Sequence, residues 1–136
     1  MKKTVLITVA ILTVVVFACV GLYFIKQNRV DLNFAESGET FFEYNDTHHS
    51  HSLSDEDLEA LKILFNGKIM YKDNPSCGFC DEVSIVFNNS QTFCIAGDSC
   101  PIIYWKQKNM YFKLSEDEKA QLYKLLEAYG FTFPCV

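Results

Sequence analysis

Hydrophobic positions along this chain fall into three patterns. From residue 4 to residue 25 they are nearly continuous: about 18 of these 22 positions are apolar and none is charged. A helix of that length rises about 33 Å, close to the hydrocarbon thickness of a bilayer. Lys2 and Lys3 precede the run, and Lys26 and Arg29 follow it. The pattern predicts a transmembrane segment in residues 1–25, oriented by the slight basic excess with its amino terminus in the cytoplasm. Two processed readings compete with this anchor. Val16-Phe17-Ala18-Cys19 resembles a bacterial lipobox, which makes Cys19 a lipidation candidate, and an ordinary signal peptidase could cut after the same alanine to secrete the product. Against both, the chain stays apolar from Val20 to Ile25, and Phe17 is bulky for its place. All three readings deliver the rest of the chain outside the cytoplasm.

Residues 26–52 have no sustained period and read as a polar juxtamembrane stalk containing His48, His49 and His51. Its aromatics, Phe34, Phe41, Phe42 and Tyr44, are more than a free linker uses, so part of it is expected to pack on the domain or add an edge strand.

In residues 53–136 the period alternates between helix and strand. Leu58, Leu61, Leu64 and Phe65 make one helical face behind a Ser54 cap and an acidic first turn, with Gly67 as the stop. Ser115 to Glu118 forms a second capping box, followed by Leu122, Leu125, Leu126 and Tyr129 at helical spacing and then Gly130. Between the helices the period is two. Residues 83–87 and 92–96 read as a hairpin joined by Asn88-Asn89-Ser90-Gln91, a register that sets Cys94 opposite Ile85 and inward. Residues 102–105 and 110–114 read as another, pairing Trp105 with Met110, Ile103 with Phe112 and Tyr104 with Tyr111. Short edge strands are expected at residues 69–71 and 131–133. The expected fold is α+β: an N-terminal transmembrane helix followed by a small domain of two helices packed on a four-stranded antiparallel sheet.

Composition changes this picture in two respects. The net charge of −5 becomes about −7 once Lys2 and Lys3 are left at the membrane, with 10 basic against 17 acidic residues in the remainder. Such a balance argues against nucleic acid or an anionic lipid surface as the main partner, since both require clustered Lys and Arg. Five of the six cysteines, Cys77, Cys80, Cys94, Cys100 and Cys135, lie in the small domain, the density with which exported proteins supplement a limited core. Five is odd, so one thiol stays unpaired or reaches another molecule. The expected structural bridge joins two of Cys94, Cys100 and Cys135.

Cys77-Gly78-Phe79-Cys80 has the spacing of thiol-disulfide oxidoreductases, which makes Cys77 and Cys80 the alternative catalytic pair. Its surroundings argue otherwise: a turn at Asn74-Pro75-Ser76 precedes it, a strand follows, and Asp73, Asp81 and Glu82 would raise a thiol pKa. A zinc site from Cys77, Cys80, Cys94 and Cys100 is the other alternative, although the second pair is too widely spaced for a zinc knuckle. No phosphate loop, nucleophile elbow or zinc-protease helix occurs, and no cofactor is expected. The acidic triplets at residues 55–57 and 116–118 are explained as helix N-terminal charge. Asn45-Asp46-Thr47 and Asn88-Asn89-Ser90 carry the glycosylation sequon, which matters only in a eukaryotic secretory host. The sequence thus points to a non-catalytic, membrane-anchored binding or assembly domain. The Tyr104 and Tyr111 pair is either buried under a helix or an exposed patch for a ligand or a protein partner.

Overall fold

A computed structural model of the protein describes residues 2–44, 47–73, 75, 77, 79, 83–97 and 100–132. The elements run α1 (Lys2–Gln27), β1 (Gly38–Tyr44), β2 (Thr47–Ser52), α2 (Asp55–Phe65), β3 (Val83–Phe87), β4 (Gln91–Ile95), β5 (Ile102–Trp105), β6 (Met110–Lys113) and α3 (Glu116–Ala128). The fold is α+β, with an apolar N-terminal helix and one antiparallel sheet in the order β2-β1-β3-β4-β5-β6. The expected sheet of four strands is therefore corrected to six. Both additional strands come from the segment read as a stalk. Burial alternates along β1, but its inward positions include Gly38 and Thr40 and its outward ones Phe41, and every residue of β2 is exposed, so neither sequence shows the apolar and polar alternation that marks a half-buried strand.

The stretch between α1 and β1 is also part of the domain. Asn28 N–H closes the last helical turn on Phe24 O at 3.2 Å, and Arg29 already forms an antiparallel bridge with Ile69. Val30 N–H donates to Lys68 O at 2.9 Å, Gly67 N–H to Val30 O at 2.9 Å, and Met70 N–H to Asn28 O at 2.7 Å. Val30, Leu32 and Ala35 are buried in the core. In α1, the window Ile7–Phe24 has a mean hydropathy of 2.6 and buries none of its length, the character of a membrane span or a signal sequence.

The helices α2 and α3 cover one face of the sheet. Leu58, Leu61, Leu64 and Phe65 of α2 join Leu122 and Leu126 of α3 over Ile85, Phe87, Phe93, Ile95, Ile103, Trp105 and Phe112. The Phe65 ring centroid lies 5.7 Å from that of Phe93 and 5.2 Å from that of Phe112, distances at which aromatic pairs attract beyond their buried area. Both caps form as the sequence predicts. Ser54 accepts from Asp57 N–H, and Ser115 exchanges hydrogen bonds with Glu118 in a full capping box. Past α3, Gly130 at φ 91° turns the chain so that its N–H meets Glu127 O and the Phe131 N–H meets Leu126 O, the paired bonds of a Schellman stop.

The β5–β6 hairpin has the expected register. The β3–β4 hairpin is one residue tighter than expected. Asn88 and Asn89 both take positive φ, 49° and 53°, so a three-residue turn suffices and Phe87 pairs with Gln91. A shift of one residue reverses every side chain. Cys94 accordingly pairs with Ser84, not Ile85, and lies buried on the face away from the helices. Of the expected edge strands, residues 69–71 form two isolated bridges, Arg29 with Ile69 and Tyr71 with Tyr111. Phe131 is buried without joining the sheet, and residue 133 lies outside the described residues.

Candidate functional site

Among the described residues, no helix covers the second face of the sheet. It presents Glu39, Phe41 and Glu43 from β1, Ser84 and Val86 from β3, Thr92 and Cys94 from β4, Ile102 and Tyr104 from β5, and Tyr111 and Lys113 from β6. Two regions of it differ in cover.

At the β5–β6 end, Tyr104 and Tyr111 stack with ring centroids 4.8 Å apart and planes inclined by 27°. The pair is neither roofed by a helix nor left open. Phe79 stands over it, 6.0 Å from Tyr104 and 5.5 Å from Tyr111, and Tyr71 flanks Tyr111 at 6.3 Å. Tyr71 is placed by reciprocal 2.9 Å backbone hydrogen bonds with Tyr111, and the Tyr104 hydroxyl donates to Asn109 Oδ1 at 3.1 Å. Burial, helped by Asp73, pushes the Tyr71 phenol above its ordinary pKa. Burial does the same to Tyr111, with smaller contributions from Tyr104 and Asp73. Both phenols therefore keep their protons, and their donor capacity, throughout the neutral range.

Phe79 is held there by a disulfide. The Cys77 and Cys100 sulfurs are 2.04 Å apart, with their Cα atoms separated by 6.4 Å and 23 residues of sequence. Cys100 stands two residues before β5, so the bridge pins the long connection between Tyr71 and β3 to the strand that carries Tyr104. This pairing differs from the expected bridge between two of Cys94, Cys100 and Cys135. In the alternative oxidoreductase and zinc readings Cys77 would be the first thiol or a ligand; here its sulfur is bonded to Cys100, and a disulfide sulfur is not a thiolate ligand. Cys80 and Cys135 lie outside the described residues. Cys19, the lipidation candidate, is exposed on α1.

At the β1–β2 end, a groove of about 320 Å³ stays open between Phe41, Val86 and Thr92, with Glu43 and His48 on one wall and Lys106 on the other. His48 Nδ1 is 3.4 Å from Glu43 Oε2. His49 and His51 alternate onto the opposite side of β2 from His48, so the three imidazoles do not converge on one point. Among the described residues no group of three or more His, Cys, Asp or Glu side chains could hold a metal ion. A second cleft, of about 400 Å³, lies beside the β5–β6 turn and is lined by Asp31, Phe34, Gln91, Trp105 and Lys108. The Lys108 ammonium sits 3.9 Å over the Trp105 ring; burial lowers its pKa and the nearby Asp31 partly restores it.

Sequence reasoning singled out Tyr104 and Tyr111 but not their partners. Phe79 was visible only as the filler of a cysteine motif, and Phe41 and Val86 became neighbours only when β1 entered the sheet. The sequon at Asn88 is committed internally: its Oδ1 accepts from the Glu36 and Ser37 N–H groups at 2.9 and 3.1 Å, and its amide donates to Phe34 O at 2.9 Å. Asn45 of the other sequon lies outside the described residues. No protein-family model, curated protein or solved structure matches the chain.

Proposed function

We propose that the protein is a non-catalytic binding or assembly domain, held outside the cytoplasm by an uncleaved single-pass anchor in residues 4–25 and acting through the helix-free face of its sheet. The carrying observation is that this face keeps a stapled aromatic cluster at one end and an open groove at the other, while the opposite face is spent on the core. Sheet faces of small domains are normally covered or polar, and a mixed face that keeps ordered aromatics suits a partner. The disulfide favours an oxidising compartment. Cleavage after Ala18 would leave Val20, Leu22, Tyr23 and Phe24 exposed ahead of the folded domain, which favours retention of the helix in a bilayer.

Intact mass of the full-length protein extracted from membranes, with thiol alkylation before and after reduction and with metal analysis, tests this. We expect the uncleaved, unlipidated mass, Cys77 and Cys100 protected until reduction, and no stoichiometric metal. Zinc at one equivalent with Cys77 and Cys100 alkylatable would replace this reading with the metal-binding module. A Cys77 to Cys80 bridge in rapid exchange with added dithiol would favour the oxidoreductase, and a diacylglyceryl mass on Cys19 would favour the lipoprotein.

A further inference from the structure

The tyrosine end of the helix-free face stands immediately beside the exit of α1. Arg29 is five residues beyond Phe24, the last residue of the most apolar window, and it bridges Ile69 directly. One helical turn and one strand spacing place Ile69 roughly 10 Å from the end of that window. The headgroup layer on each side of a bilayer is about 5 to 7 Å deep, so Ile69 lies at or just above it. No slack allows the domain to retreat, because Val30 and Leu32 are fully packed in the core. Strand alternation sends Met70 into the core and leaves Ile69, 64% exposed, on the same side as Tyr71. Tyr71 continues into Tyr111, Tyr104 and Phe79.

The composition of this strip is that of a membrane interface. Half-buried tyrosines combine an apolar ring with a hydroxyl donor, the amphipathy that enriches them at headgroup depth. Among the described residues next to the strip in sequence or strand pairing, Arg29, Lys72 and Lys113 stand with Asp73, while Asp81 and Glu82, which follow Phe79 in the chain, lie outside the described residues. We propose that the face formed by Ile69, Tyr71, Phe79, Tyr104 and Tyr111 seats on the headgroup layer of the bilayer that holds α1, fixing the orientation of the domain on the membrane. This rests on the reading of residues 4–25 as an uncleaved anchor. It names the lipid surface as the ligand of the tyrosine end, leaving the groove at Phe41 and Val86 turned toward other partners.

The test uses the full-length protein in vesicles of phosphatidylcholine mixed with phosphatidylglycerol, with the photo-reactive p-benzoylphenylalanine placed singly at four positions. Phe17 reports on the anchor, Tyr71 and Tyr111 on the docking face, and Lys124, exposed on α3, on the opposite side. After irradiation, intact mass reads the addition of one phospholipid. We expect lipid adducts at positions 17, 71 and 111 and none at 124. A background variant carrying Ile69→Glu and Lys72→Glu should lower the yield at 71 several-fold while leaving that at 17 unchanged. Adducts at 17 alone, or dimer adducts at 71 and 111, would overturn the docking and leave the anchor standing. Absence of an adduct at 17 would overturn the anchor, and the docking with it.

Discussion

Asn88 shows how much of the fold one polar side chain can hold. It turns the β3–β4 hairpin at positive φ and also receives the loop leading into β1 through three hydrogen bonds. Asn88→Ala removes all three and keeps the strained φ, so it should cost about 2 to 4 kcal/mol in urea unfolding. Asn88→Gly relieves the backbone and should recover about 1 kcal/mol of that loss. Tyr129 acts similarly at the other end of the chain. Its hydroxyl donates to Asp57 Oδ2 at 2.6 Å and accepts from Ser54 N–H at 3.0 Å, joining the end of α3 to the cap of α2. Tyr129→Phe should cost about 1 to 2 kcal/mol, and a double-mutant cycle with Asp57→Ala should be strongly non-additive. Glu118 adds a pH dependence. Its hydrogen bond from Lys68, together with the Ser115 N–H, holds its carboxyl below the ordinary glutamate pKa of 4.5. A depressed folded value means that its stabilisation is present at neutral pH and is lost as pH falls from about 4.5 through the lower folded value. Glu118→Gln should flatten acid unfolding in that window and lower stability above it by an amount that does not vary with pH.

Among the elements, those legible in the sequence are the ones whose rules are local. The caps of α2 and α3 and the β5–β6 register follow from residues within a few positions of one another, and the structure has them as expected. The β3–β4 register failed by one residue because its turn depends on two asparagines accepting positive φ, which the alternation alone does not reveal. β1 and β2 were less visible still. The doublet Phe41-Phe42 serves both faces, and Thr-His-His-Ser-His-Ser has no buried position at all. Pairing of residues 28–30 with 67–70 spans about 40 positions and leaves no local mark. The tyrosine pair of the candidate site was readable as a cross-strand pair, whereas its roof depended on which cysteine Cys77 meets. That bridge closes a loop of about 24 residues, so reducing it, or introducing Cys77→Ser, should lower stability by about 3 kcal/mol. Proteolysis should then cut first between Tyr71 and Val83, which limited digestion followed by mass spectrometry will locate.

For the whole molecule, the sheet divides labour between its faces. One is consumed by α2 and α3 in building a core; the other is held in shape by a disulfide and left available. An acidic domain of modest size can therefore keep an aromatic cluster on that side, because Phe79, the Tyr104 and Tyr111 stack, and the backbone bridge at Tyr71 order it in place. The two regions of this face are about two strands apart, so substitutions at Phe41 or Val86 should alter partner capture without changing the lipid adducts at Tyr71.

The direct join at Asn28 also makes the molecule a lever. With the last turn of α1 closing on the residue that enters the domain, no free linker separates them, and under the proposed anchoring a torque on the sheet would reach the helix as a change of tilt or rotation. In the proposed anchored state a pull on the groove would be felt inside the bilayer, and inserting a few glycines after Gln27 should uncouple the two.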